Sequence, residues 1–451
     1  MNRRILGLAL PNIVTNITVP LLGMVDMAIV GHLSGAHVSA IVVGSSIFNL
    51  IYWNFGFLRM GTSGLTAQAY GAERWGEAVK ILIRACSIAL IIALLLIVCQ
   101  WPLSEAARII FRSDPQAGPG VMELALTYFF VRIWAAPATL GLYAIKGWFI
   151  GMQDSKTPMW IAIALNCVNI VCSLLFVVVF HWDMAGVAWG TVVANYTGLL
   201  LGIVFLRRRL HGDHNLSSFH IALSSVKEAL HWHEMRLFFK VNGDVFLRTV
   251  CLSGVFTFIT AASGRMGEDI RALDGILLQF FTLFSYIMDG FAYAGESLVG
   301  RYIGARDSRS LHLSVKLLLR WGLGLTLLFT AFYAIGGEWF LRIFSDKPDI
   351  IQGTLRYLFW TLIIPVCGFS AFLFDGIFVG ATASRTMRNS MFVASATFFA
   401  VYYLGKHFLP AHLADPFVWN NILWTAFMAF LALRGILQAL YLNKSVYSQI
   451  K

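Results

Sequence analysis

Apolar residues run along this chain in long stretches, separated by short polar breaks. Twelve of these stretches are long enough to cross a bilayer as helices, for which about 20 residues suffice. They lie near residues 5–30, 38–66, 80–100, 121–149, 158–180, 185–206, 238–262, 274–302, 313–336, 351–380, 389–405 and 417–442. The period-two alternation of a membrane barrel is absent, so the pattern predicts an all-α polytopic membrane protein with twelve transmembrane helices. Several stretches exceed the minimum length, which implies tilt or extension beyond the lipid.

The longest polar break, residues 207–236, falls near the middle. It divides the chain into an N-terminal six-helix lobe (1–206), a cytoplasmic linker (207–236) and a C-terminal six-helix lobe (237–451). The linker segment IALSSVKEALHWH suits an amphipathic helix on the membrane surface. The two halves echo each other. KGWFIGMQDSKTP (146–158) reads against DGIFVGATASRTM (375–387), with Gly147, Phe149, Gly151, Ser155 and Thr157 matching Gly376, Phe378, Gly380, Ser384 and Thr386. GFLRMGTSGLTAQAYGA (56–72) echoes GFAYAGESLVGRYIGA (290–305), and IFRSDP (110–115) echoes IFSDKP (343–348). An even number of helices gives both halves the same orientation. Two pseudosymmetric bundles of this kind build secondary transporters, which alternate access to a central cavity.

Composition agrees. The 451 residues are 58% hydrophobic and 13% charged, against about 45–50% and 25% in soluble domains. Net charge is +11, but its distribution argues against nucleic acid as a partner. Lys and Arg favour the loops on the side of the N-terminus, among them Arg207, Arg208, Arg209, Lys227, Arg385 and Arg388. The positive-inside rule then places both termini in the cytoplasm, with the chain in the plasma membrane (the inner membrane of a bacterium). The six cysteines lie in helices with no disulfide or zinc spacing. HGDH (211–214) and HWH (231–233) read as solvated loop residues, so no metal is expected. There is no nucleophile–base spacing and no phosphate loop, so the chain is read as no enzyme and without a cofactor.

The chemistry rests on charges inside the apolar stretches, where they are costly and functional by default. Asp26, in LLGMVDMAIVGH, has no cation within a helical turn. A carboxyl isolated from water takes up a proton more readily than one in water, so Asp26 is the candidate proton carrier. Pro11 and Pro20 precede it and permit a bend. Asn166, Asn169 and Ser173 share one helix face by spacing, and Thr191 follows on the next helix, so these four form the candidate coupling network. Asp289, Glu296 and Asp375 are candidates for a cavity in the second lobe, or for structural pairing there. Asp244 and Arg248, four apart, suit a structural ion pair.

PNIVTNITVPLLGMVDMAIVGHL, FLRMGTSGLTAQAYGA and DGIFVGATASRTMRNSM together resemble the multidrug and toxic compound extrusion (MATE) family, in particular its DinF-like branch. The resemblance spans about residues 5 to 440. It implies twelve helices in two lobes and efflux of small amphipathic, cationic organic compounds, coupled to inward proton or sodium flow. It also implies that Asp26 is the coupling acid and Pro11 the bending proline. Asn169 and Thr191 match the family's network. Ser173 stands where many members have aspartate, and Leu22 where some have tyrosine. A single carboxylate gives a hard cation too few charged oxygens and suits a proton better. The expected protein is therefore a monomeric, proton-coupled multidrug antiporter in contact with membrane lipid. A sodium-coupled exporter, and a flippase for lipids or lipid-linked glycans, remain alternatives.

Overall fold

The computed structural model describes residues 1–111, 118–212, 228–344, 353, 355–408 and 415–450. Among them every regular element is helical, and no strand occurs. The first half holds α1 (Asn2–Gly31), α2 (Gly35–Asn54), α3 (Phe57–Gly71), α4 (Trp75–Val98), α5 (Gln100–Phe111), α6 (Pro119–Arg132), α7 (Ala136–Gly151), α8 (Lys156–Leu174) and α9 (Asp183–Gly212). The second half holds α10 (Trp232–Met266), α11 (Glu268–Gly304), α12 (Ser308–Phe344), α13 (Leu358–Gly380), α14 (Ser384–His407) and α15 (Pro416–Ser445).

Among the described residues, eleven helical segments are long and apolar enough to cross a membrane. The expected twelfth, at 389–405, is α14. It is helical but falls short in hydropathy, because it carries Arg385, Arg388, Asn389, Lys406 and His407. Only one stripe of it is buried, including Met387, Met391, Ala394, Phe398 and Tyr402, at the spacing of a single helix face. Much of the expected surface helix in the linker lies outside the described residues.

The chain forms two compact units, one of residues Val14–Asn242 and one of Met1–Ile13 with Gly243–Lys451. The divisions fall inside α1 and α10. In the first unit, α7 lies against α3 through two glycines. A Cβ on Gly147 would strike the backbone of Arg59, and one on Gly151 would strike Thr66 and the carbonyl of Ser63. In the second unit, α13 lies against α11 in the same way, with Gly376 on the backbone of Ala292 and Gly380 on that of Glu296. Small residues let helix backbones approach this closely, so the repeat seen in the sequence is a repeat of packing.

The helix ends repeat as well. After α7, Asp154 N–H donates to the Phe149 carbonyl and Gln153 N–H to that of Ile150; after α13, Ala383 N–H donates to Phe378 and Thr382 N–H to Val379. α3 and α11 end likewise, with Arg74 on Ala69 and Asp307 on Tyr302. These are Schellman caps. Glu73, Gln153, Arg306 and Thr382 hold the left-handed position, with φ between 50° and 63°.

Candidate functional site

Asp26 projects from α1 into the interior of its unit, with 4% of its surface exposed. α8 and α9 supply its surroundings. They approach closely because Gly190 leaves no room for a Cβ against Ser173. This brings Asn169 to Thr191, whose hydroxyl accepts from Asn169 Nδ2 at 3.1 Å and donates to the Val187 carbonyl at 3.2 Å. Asn169, Ser173 and Thr191 are all buried. The hydroxyls of Thr191 and Ser173 lie beside the Asp26 carboxyl, and Arg132 is the cation that acts on it. Arg132 is itself held in place. Its Nη1 donates to the Tyr128 hydroxyl at 2.6 Å, and its guanidinium lies 4.7 Å from the centre of the Phe48 ring.

Three oxygens in this group have no hydrogen-bond partner among the described residues: Asp26 Oδ1, Asn169 Oδ1 and Ser173 Oγ. Buried polar atoms are nearly always paired, so this cluster is set for something that arrives. A neutral carboxylic acid adds one donor where acceptors are waiting. A hard cation such as sodium would need about six oxygens, twice those left open.

Asn166 does not join this cluster directly. Its Nδ2 donates to the backbone carbonyl of Thr18 at 3.0 Å, so α8 grips α1 about two turns before Asp26. α1 continues as one helix through Pro11 and Pro20. Pro20 has no N–H to offer the preceding turn, and the Asn166 contact falls in that weakened stretch.

In the second unit the spacing-based pairing of Asp244 with Arg248 is corrected. Asp244 accepts from Arg388 at 2.6 Å and from the Ser384 hydroxyl at 2.9 Å, both on α14. Arg248 turns to Asp375 on α13. Four-residue spacing permits a pair on one helix, but partners on neighbouring helices compete and here prevail. Asp375 is fully engaged. Its Oδ2 accepts from Arg248 and from Arg434 at 2.5 Å, and its Oδ1 from Gln438 at 3.0 Å. Asp289 is half-buried and acts electrostatically on Arg434. Glu296 is buried where α11 meets Gly380.

A carboxylate not singled out from sequence is Asp274, near the start of α11. It accepts from Ser263, from Asn420 at 2.8 Å and from Trp424 at 2.7 Å, tying α10, α11 and α15 together. It sits at the boundary of an apolar stretch, where an acid looks like a solvated end residue. Among the described residues no group of three or more His, Cys, Asp and Glu side chains could hold a metal ion.

Comparison with known proteins agrees with this architecture. The MatE family profile matches residues 11–175 and 245–404. The chain is 35% identical over 432 residues to DNA damage-inducible protein F of Escherichia coli strain K12, covering 95% of this chain and 89% of that protein. It is 30% identical over 215 residues to multidrug and toxin extrusion protein 1 of Oryctolagus cuniculus, covering 46% of this chain and 36% of that one. Among solved structures, an outward-facing multidrug resistance MATE transporter superposes with a TM-score of 0.83 at 17% identity, covering all of this chain and 96% of its own.

Proposed function

This chain belongs to the MATE family of multidrug and toxin efflux transporters, and on that premise we propose that it is a proton-coupled antiporter exporting small amphipathic organic compounds by alternating access. The protein is a monomer of the plasma membrane with both termini in the cytoplasm. Asp26 carries the proton. The observation that supports this is the unpartnered trio of Asp26 Oδ1, Asn169 Oδ1 and Ser173 Oγ. An ionised Asp26 is acceptor-only and can make no bond to the Asn169 carbonyl oxygen. Once protonated it becomes a donor to the Asn169 carbonyl oxygen. Loading a proton therefore adds a bond between α1 and α8, and losing it removes one. Asn166 couples the same two helices at Thr18, so the change is transmitted to α1 as a unit. Arg132 stands by as counter-charge when the proton leaves.

The test is movement of a fluorescent amphiphile across proteoliposomes under an imposed pH gradient without sodium, native protein beside Asp26→Asn. Gradient-driven movement in the native protein, abolished in Asp26→Asn, is expected. Movement that persists in the variant overturns the role of Asp26. Movement only after sodium is added overturns the proton.

A further inference from the structure

Asp375 and Asp274 are buried in the same unit and held in different ways. Asp375 is met by two guanidiniums. Asp274, 1% exposed, is met by none. Its three bonds come from neutral groups: the Ser263 hydroxyl on Oδ2, and Asn420 Nδ2 at 2.8 Å and Trp424 Nε1 at 2.7 Å on Oδ1. Among the described residues no Lys, Arg or His pairs with it. A buried charge is paired with an opposite one, or the group carries a proton instead.

The charged groups at these helix ends are engaged elsewhere or turned to the surface. Arg265, near the end of α10, is exposed and acts on Tyr402 of α14. Lys406 of α14 lies 4.1 Å from the centre of the Trp419 ring of α15. Glu268, Asp269 and Arg271 on α11 itself, Arg356 before α13 and Asp415 before α15 are exposed. Two phenols on this side have their hydrogens committed. Tyr357 donates to the Phe417 carbonyl at 2.9 Å, and Tyr333 of α12 to that of Phe280 at 2.8 Å.

One acceptor is left over. Asn420 Oδ1 belongs to a fully buried side chain and has no hydrogen-bond partner among the described residues. The nitrogen of the same planar amide already donates to Asp274 Oδ1. An ionised Asp274 is acceptor-only and cannot serve that oxygen. A proton on Oδ2 makes Asp274 the missing donor. Acid and amide then face each other with one hydrogen bond in each direction, and a buried atom that lacked a partner gains one. Asp375 cannot act in this way, since a proton there would strand Arg248 and Arg434.

We propose that Asp274 is a second proton-binding residue of the transporter, with Asn420 as the acceptor of its proton. Asp274 lies six residues after the start of α11, and Ser263 three before the end of α10. With both termini in the cytoplasm, those helix ends face outward, so the proton comes from the outer side. This rests on the proton-coupled reading above and deepens it. Each unit then has one carboxyl that takes up a proton beside an asparagine with an open carbonyl oxygen, Asp26 with Asn169 and Asp274 with Asn420. Loading Asp274 adds a bond between α11 and α15.

The test is infrared difference spectroscopy on the purified protein in nanodiscs, stepped from alkaline to acidic pH with no substrate and no gradient. It reads the C=O stretch of a buried carboxyl that has taken up a proton. Asp26→Asn serves as the background, so that the carboxyl of the first unit is silent. A band is expected to remain in that background and to disappear when Asp274→Asn is added. Asn420→Leu keeps the carboxyl and removes its partner, and is expected to move the band to higher frequency, which a general folding defect does not do. If Asp274→Asn does not fold, the Asn420→Leu shift decides alone. Absence of any band in the Asp26→Asn background, or a band that survives Asp274→Asn and stays in place in Asn420→Leu, overturns the assignment. No transport enters this reading, so failure of Asp26-dependent export is scored separately.

Discussion

Asp375→Asn is expected to destabilise the second unit, and to do so through charge count rather than lost contacts. The wild-type cluster holds two guanidiniums, Arg248 and Arg434, and two carboxylates, Asp375 bonded to both and Asp289 acting on Arg434. It is formally neutral. The Asn substitution keeps the shape, preserves an acceptor, and leaves one buried positive charge uncompensated. Breaking one partner of a buried ionic network costs about 3–5 kcal/mol. Arg434→Met leaves the opposite imbalance and is expected to cost a similar amount. The double variant removes one charge of each sign, so its loss is expected to fall short of the sum by about 1–3 kcal/mol. Denaturant unfolding of the purified protein in one fixed detergent, followed by tryptophan fluorescence, measures all three. Singles that unfold at the native midpoint, or a double variant that loses the full sum, would refute the charge-count reasoning.

Other substitutions probe other parts. Gly147→Val is expected to force α7 off the Arg59 backbone and cost at least about 1–3 kcal/mol, read in the same unfolding assay. Asn169→Ala removes the donor to Thr191; it is expected to slow pH-gradient-driven movement of a fluorescent amphiphile in proteoliposomes. Asp307 caps α12 by accepting from the Ser310 N–H at 2.9 Å, so Asp307→Ala is expected to cost about 1 kcal/mol. The hydroxyl and then the amide of Ser310 hold the Asp307 carboxyl below the usual carboxylate range. Its contribution is therefore fully present above about pH 4, and is lost as pH falls through its lowered folded-state value. Unfolding midpoints of wild type and Asp307→Ala should converge at the acid end.

Much of this architecture was legible in the sequence because membrane helices are written in long apolar runs, and because the duplicated glycines survive as a visible motif. The grouping around Asp26 was also within reach. Asn169 and Ser173 share a helix face by spacing, and Thr191 follows on the next helix. Pairing between helices was not legible. Asp244 and Arg248 satisfied a local rule, but the partners that hold them come from α13 and α14. Arg434 and Gln438 lie some sixty residues from the carboxylate they serve. Asn166 looked like a neighbour of the acid and instead bonds a backbone carbonyl, which has no signature in sequence. The faint hydropathy of α14 has a physical cause, since Arg388 and Ser384 are committed to Asp244.

The paired glycine contacts carry an implication for how such a chain diversifies. Gly147 and Gly376 set the approach of α7 to α3 and of α13 to α11 through backbone alone, so the residue just before each glycine is not needed for that approach. At that position one unit carries Lys146 and the other Asp375. Two arginines and a glutamine hold Asp375, so that position cannot change by itself. Among the described residues Lys146 makes no hydrogen bond. A substitution at 146 therefore strands fewer buried partners than one at 375, and the first unit is the easier of the two to vary at this matched position.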